Sequence, residues 1–351
     1  MSTSANTSVL LVGNFLSGNV GNHSVCEDLA GKLESVGLNV FTASNQRPRA
    51  ARLLDIVTTT WKRRHEYSAA NVDVYSGLGF GLAESACFVL RAAGKPYALT
   101  LRGGNLPDFS KRWPRRVDRL LRHAAVVTTP SEYLQQRMER YRNDIQLLPN
   151  PLHLNRYSFC LRDKPAANLV WVRSFHHLYN PTLAIRLVAD LQHAFPDIQL
   201  TMVGPDKGDG SFQATQRAAS ELGVADRVRF TGGVPKTQIP DHLAQADVFI
   251  NTTNFDNTPV SVLEAMACGL CVVSTDVGGM PDLVDHNHNA LLVPPDDTAA
   301  MGAAVRRVLN EDGLAGKLSQ NAHAFASQFD WPTILPKWVR LFETLSEKAT
   351  H

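Results

Sequence analysis

Twelve short apolar runs recur along this chain, and their rhythm restricts the fold more than any other feature. They are residues 8–12, 40–42, 72–75, 97–100, 125–128 and 145–148, then 169–172, 199–203, 228–230, 248–250, 271–273 and 290–293. Runs this short, with little polar alternation, suit strands buried on both faces. Helix-like stretches separate them, so the expectation is an α/β fold built on parallel, doubly wound sheets. Ligands of such sheets sit beyond the carboxyl ends of the strands. Gly18, Gly21, Ser76 and Arg102 all fall at such ends. The first run leads through a loop with Gly13, Gly18 and Gly21 into a helix marked by Val25, Leu29, Leu33 and Val36. Strand, glycine loop and helix open a nucleotide-binding unit. The loop lacks the GxGxxG spacing, which speaks against a dinucleotide.

A length of 351 residues suits two domains. Pro149-Asn150-Pro151 and the irregular run to Ala167 read as a linker. The expected domains are residues 1–155 and 156–330. A long amphipathic helix over 331–351 is expected to pack back on the first of them.

Hydrophobic content of 44% and charged content of 19% describe an ordinary globular chain. No apolar run approaches the roughly 20 residues that cross a bilayer. The start, MSTSANTSVLLVGNF, lacks a basic stretch and moves straight into a strand, so no signal peptide is expected. Five scattered cysteines suit a reducing cytoplasm. Cys268 and Cys271 form one CxxC, but a zinc site needs a second ligand pair. The twelve histidines show no metal spacing, and His23 reads as a surface or cap residue.

The net charge of +2 is unevenly spread. Residues 1–150 hold 19 Lys+Arg against 12 Asp+Glu, or +7; the remainder holds 16 against 21, or −5. The excess concentrates at Trp61-Lys62-Arg63-Arg64 and in the run from Lys111 to Arg122. Basic residues interleaved with Trp and Leu suit either a solvated helix face or an anionic membrane surface. No nucleic-acid motif accompanies them, so nucleic acid is not expected as a partner.

Residues 251–275, NTTNFDNTPVSVLEAMACGLCVVST, read as loop, short helix, turn and strand. Thr258 is the expected N-cap and Pro259 the first helical residue. Gly269 is the expected stop. The N–H groups near Val260 and Ser261 then point out of a helix start, which favours an anion such as a diphosphate. Asp256 and Glu264 bracket that start. An ordinary capped helix with solvated acids explains the same residues, and this stretch alone does not separate the two readings.

Together with the two series of strands, this stretch resembles the retaining glycosyltransferases of family 4. The resemblance is carried by residues 257–269, by Ser274-Thr275-Asp276-Val277-Gly278-Gly279-Met280-Pro281, by Met202-Val203-Gly204-Pro205-Asp206, and by Val172-Arg173 with Tyr179-Asn180-Pro181. It covers nearly the whole chain and is strongest over 169–304. It implies the GT-B fold, two Rossmann-like domains facing a cleft with a hinge near Pro149–Pro151, and transfer of a hexose from a UDP- or GDP-linked donor. No cofactor or metal is implied. The family's acidic pair falls on Asp256 and Glu264, the second suited to the donor's ribose hydroxyls. Asn257, Thr258 and Val260 match the amides facing the diphosphate or sugar. Arg173 matches the family's arginine, and Gly204 and Val234 fall near the base. The Gly18–Gly21 loop is expected over the diphosphate.

The sequence departs from the family in three places. Asp256 stands where a longer Glu is usual. The lysine position falls near Tyr179. Histidines usual in the first domain are replaced near Ser76 and at Arg102, and Arg102 is the candidate for an acceptor phosphate or the leaving group. The implied acceptor is a glycan or lipid-linked hydroxyl in cell-surface polysaccharide or glycolipid assembly, with the enzyme cytoplasmic or peripheral on the inner face of the plasma membrane. A GT-B protein that binds without transferring, or a Rossmann oxidoreductase, are the alternatives; the latter lacks its fingerprint.

Overall fold

The computed structural model describes residues 7–16 and 24–348. Gly18, Gly21 and His23 lie outside the described residues. The chain forms two compact units, Met1–Pro151 with Trp331–His351, and Leu152–Asp330.

The first unit holds six strands: β1 (Ser8–Val12), β2 (Asn39–Ala43), β3 (Ala69–Val74), β4 (Tyr97–Leu101), β5 (Val126–Thr129) and β6 (Gln146–Leu147). They pair in parallel in the order β2-β1-β3-β4-β5-β6. All residues of β3, β4 and β5 are buried, as parallel strands covered on both faces require. Polar positions in these strands answer one another: the Thr100 hydroxyl donates to Asn71 Oδ1 at 2.8 Å and lies 3.0 Å from that of Thr128.

The helix Trp331–Glu347 belongs to this unit. Trp331, Ile334, Trp338, Phe342 and Leu345 pack with Val9, Leu11, Leu29 and Leu33 in one core. The apolar positions recur every three to four residues, so one stripe of the helix is buried. Two helices in this unit were not expected from the sequence. Arg49–Lys62 starts at Pro48 with no side-chain cap, and so lacks the usual start signal. Leu106–Arg112 is separated from Pro114–Arg122 only by Trp113, so the basic run over 111–122 is split between two short helices.

The second unit holds β7 (Asn168–Val172), β8 (Gln199–Val203), β9 (Val228–Gly232), β10 (Val248–Asn251), β11 (Cys271–Thr275) and β12 (Leu291–Val293). Their parallel order is β12-β11-β10-β7-β8-β9. Alternate residues of β7 serve the two faces: Leu169 and Trp171 enter one core, Val170 and Val172 the other. The two sheets are both doubly wound but differ in order. The winding reverses between β1 and β3 in the first unit, and between β7 and β10 in the second.

Trp338 is 2% exposed in the core of the first unit. Trp338→Ala should destabilise that unit by about 3–5 kcal/mol, read from the urea unfolding transition. A loss below ~1 kcal/mol would show that the helix contributes little to the unit.

Candidate functional site

The reversal between β7 and β10 opens a crevice at the carboxyl ends of the two strands, where doubly wound sheets take their ligands. Arg173 follows β7 directly, and the loop carrying Asp256 follows β10. The two loops are tied together. Trp171 Nε1 donates to Thr252 Oγ1 at 2.9 Å, Thr252 Oγ1 donates to the Tyr179 carbonyl at 2.7 Å, and Asn254 N donates to the Leu178 carbonyl at 2.8 Å. The Arg173 guanidinium pairs with Asp256 Oδ2 and lies over the Tyr179 ring, 4.9 Å from its centroid. Tyr179 thus serves as a platform for the arginine. Arg173 Nε is buried with no hydrogen-bond partner.

Two glycines permit this arrangement. A Cβ on Gly204 would lie 1.7 Å from the Arg173 carbonyl oxygen. Gly204 N donates to the Gly232 carbonyl at 2.9 Å, so Gly204 is fixed as the close contact that seats Arg173. Gly278 has φ +59°, and a Cβ there would lie 2.0 Å from the Asp256 carbonyl oxygen, which accepts from Gly279 N at 2.9 Å. The segment 274–281 therefore clamps the backbone of Asp256.

The same clamp changes the helix start. The helix runs Val260–Ala267, with Pro259 extended (φ −70°, ψ 109°) as its cap residue. The expectation of a Thr258 cap and Pro259 inside the helix is corrected by one residue. The chain is held at Asp256 by Arg173 and Gly279, bends at Asn257 and Thr258, and enters the helix only after Pro259. The Thr258 and Ser261 hydroxyls are buried without partners beside the helix start, and Arg173 Nε completes this set of orphaned donors. Buried polar atoms are normally paired, so three together mark a place suited to a polar ligand. The first N–H groups of the helix have no intrahelical acceptors and favour an anion.

Glu264 stands one turn inside this helix and is buried, 5% exposed. Its Oε1 accepts from the Tyr157 hydroxyl at 2.8 Å, which fixes the carboxylate's orientation. Burial pushes the Glu264 carboxyl up, opposed by the Tyr157 hydrogen bond and by the charges of Lys236 and Arg173. Burial likewise pushes the Asp256 carboxyl up, opposed mainly by Arg173, and Asp256 Oδ1 accepts from Asn257 N at 2.8 Å. Val234 is half-buried in the loop after β9, two residues before Lys236.

Sequence reasoning missed Tyr157 and Lys236. Tyr157 lies 107 positions from its partner, in a stretch read as linker, and nothing local marks it. Lys236 follows the Gly232-Gly233-Val234 loop, so a cation at a strand end was the available signal. The histidines also gather unexpectedly. His176, His177 and Asp209 bring three ligand atoms within 4.8 Å of one another. His177 N and Nδ1 both lie within hydrogen-bond distance of Asp209 Oδ2, while His176 Nδ1 accepts from Leu178 N. A metal on His176 Nε2 would place the proton on Nδ1 and break that local cap, so the cluster reads as an anchor of the Arg173–Tyr179 loop.

The remaining candidates lie in the first unit. The buried Arg102 guanidinium is only partly engaged: Nε lies 2.7 Å from buried Asp73 Oδ1, Nη1 donates to Asn150 Oδ1 at 2.7 Å, and Nη2 has no hydrogen-bond partner. Gly103 packs against the Ser76 backbone beside it. Near the β1–β3 reversal, Arg52 Nη2 donates to the Gly13 carbonyl at 3.0 Å and to the Asn14 side chain. Arg52 comes from the unexpected helix and was not singled out from sequence.

Burial of Glu264 carries a pH signature. A carboxyl raised in the folded state holds its proton where the unfolded chain has released it, so stability falls as pH rises from the ordinary value of 4.5 toward the raised one. Wild type should lose stability through that window relative to Glu264→Gln, measured as urea midpoints across pH. Parallel curves would mean that Glu264 is solvated. Tyr157→Phe should lower stability by about 1–3 kcal/mol by leaving Oε1 unpaired.

Comparison with known proteins bears on the family and the fold. Residues 161–325 match the family described as glycosyl transferases group 1. A GDP-mannose-dependent alpha-(1-6)-phosphatidylinositol monomannoside mannosyltransferase of Mycolicibacterium smegmatis is 33% identical over 172 residues, 47% of this chain and 44% of that protein. A D-inositol 3-phosphate glycosyltransferase of Corynebacterium jeikeium is 30% identical over 179 residues, 50% of this chain and 43% of that one. The matched segments thus span less than half the length of these two relatives. The Anabaena Alr3699/HepE crystal structure in complex with UDP superposes with a TM-score of 0.78 at 18% identity, over 96% of this chain and 100% of that one. Residues 161–325, within the second unit, are thus similar to group 1 glycosyltransferases, and the chain has the GT-B fold.

Proposed function

We propose that the chain transfers a hexose from a UDP- or GDP-linked donor to a hydroxyl of a glycan or lipid-linked acceptor, with retention of anomeric configuration. The observation that carries this reading is Arg173, seated on Tyr179 and ion-paired with Asp256, beside a buried helix start with orphaned hydroxyls. In such a transfer the bond between the anomeric carbon and the diphosphate breaks, and its electron pair goes to the diphosphate. The growing negative charge needs preorganised donors. Arg173, the N–H groups near Val260 and the hydroxyls of Thr258 and Ser261 supply them. The bond to Asp256 exchanges for one to phosphate as the donor enters. Glu264, held by Tyr157 at Oε1, accepts from the ribose hydroxyls through Oε2. Lys236 provides the second positive charge in place of the family lysine. Asn257, Gly204 and Val234 border the same crevice. No metal is required in this scheme, because cations and the helix start carry the charge.

The relatives' names support a nucleotide-sugar donor and an inositol-containing or lipid-linked acceptor. No helix among the described residues is long and apolar enough to cross a membrane. A lipid-linked acceptor would place the chain peripherally on an anionic membrane face, in glycolipid or cell-surface polysaccharide assembly. The ion pair that already engages Arg173 Nη2 favours a second reading, donor binding without transfer. Release of nucleoside diphosphate from the donor separates the two.

UDP- and GDP-hexoses should be screened by thermal shift and by nucleotide release, with product configuration read by NMR. One donor should stabilise the protein and give a product of unchanged anomeric configuration. Arg173→Ala should lower kcat by about 10²–10³-fold, and Glu264→Ala should remove the thermal shift. Full transfer by Glu264→Ala, or an inverted product, would overturn the proposal.

A further inference from the structure

The first unit carries a surface apart from the residues assigned to the transfer reaction. Helices Arg49–Lys62 and Leu78–Ala92 pack side by side, and Pro114–Arg122 lies near them across a groove. The groove encloses about 760 Å³. Leu53, Leu54, Val57, Phe88 and Leu120 supply its apolar lining. Leu54 is 64% exposed, Phe88 66% and Leu53 37%; Trp61 and Leu78, elsewhere on the same two helices, are exposed as well. Exposed apolar side chains scattered singly are ordinary; side chains converging on one groove are not. The lining also holds Arg91, Arg116 and Arg119 against the single acid Glu84, three positive charges to one negative. Arg116 is paired with Glu84. Among the described residues neither Arg91 nor Arg119 forms an ion pair, so their charge faces outward.

Part of the basic run is neutralised within the unit, since Lys111 pairs with Asp108 and Arg122 with Asp118. Of the arginines in the run that form no ion pair among the described residues, Arg119 lines the groove, while Arg112 and Arg115 lie outside its lining. An apolar trough rimmed by free guanidinium groups matches a partner with hydrocarbon below an anionic layer. A polyanion alone leaves Leu54 and Phe88 without a partner, and an apolar protein partner leaves Arg91 and Arg119 without one.

We propose that this groove is where the chain docks on an anionic phospholipid bilayer, with Leu54 and Phe88 entering the acyl region and Arg91 and Arg119 meeting the headgroups. The proposal rests on the reading of a membrane-bound acceptor and names the surface that would reach it. The full chain is sedimented with vesicles of phosphatidylglycerol and phosphatidylcholine, and with phosphatidylcholine alone. Wild type should sediment with the anionic vesicles only, and less as salt rises. Leu54→Ser with Phe88→Ser, and separately Arg91→Glu with Arg119→Glu, should each weaken partitioning by about tenfold or more. All four side chains lie outside the donor site, so both variants should keep the donor-induced thermal shift and transfer to a soluble acceptor. Absence of transfer in every form would count against the enzymatic reading and not against the groove. Wild-type partitioning in both variants would overturn the groove. So would equal binding to neutral vesicles, or no binding at all. Sedimentation velocity showing a dimer that Phe88→Ser dissociates would assign the groove to a second copy and also overturn it.

Discussion

Parallel pairing forces every strand of a sheet to present its carboxyl end on one edge, and the chemistry of this protein follows from that constraint. Each sheet here is wholly parallel, and the central strands of the second are packed on both faces by apolar cores. Functional side chains are therefore restricted to strand-end loops. Only where the winding reverses do two such loops diverge and leave a crevice. In the second unit that point brings Arg173 and Asp256 together from positions 83 residues apart. In the first it gathers Gly13, Arg52 and Asp73.

The two acids at the crevice of the second unit sit in a balance between burial and charge. Glu264 and Asp256 are both desolvated, which disfavours their ionised forms. Arg173 opposes this for both, and Tyr157 and Lys236 oppose it for Glu264. The arginine is itself immobilised, stacked on Tyr179 and seated against a glycine that no larger residue can replace. A guanidinium fixed in this way loses little freedom on meeting a phosphate, which is what a preorganised site requires. Tyr179 and Asp256 thus act together on one arginine.

Arginines in the first unit meet different ends. Arg102 is neutralised in the interior by Asp73 and braces Asn150. Arg52 closes onto the loop after β1. Arg91 and Arg119 remain on the surface beside exposed Leu54 and Phe88. The +7 charge of residues 1–150 is thus an uneven mixture of buried pairs, surface pairs and free groups, and the sum alone does not locate its effect.

The sequence by itself determined the strands, because short apolar runs between helical segments are a local property. All twelve strand positions, the parallel class of both sheets and the helix over 331–347 were legible from it. So were Arg173, Asp256 and Glu264 as neighbours, through motif order. The helix Arg49–Lys62 was not, since it lacks a capping residue and its exposed face is partly apolar. Tertiary structure alone decided the rest. It set the different strand orders of the two sheets, because order depends on which side of β1 or β7 each crossover takes. It moved the helix start to Val260, because Gly279 and Arg173 hold Asp256 from outside the segment. It gave Glu264 a partner in Tyr157 and Arg102 a partner in Asp73, because ion pairs and hydrogen bonds form between groups that are near in space and distant in sequence.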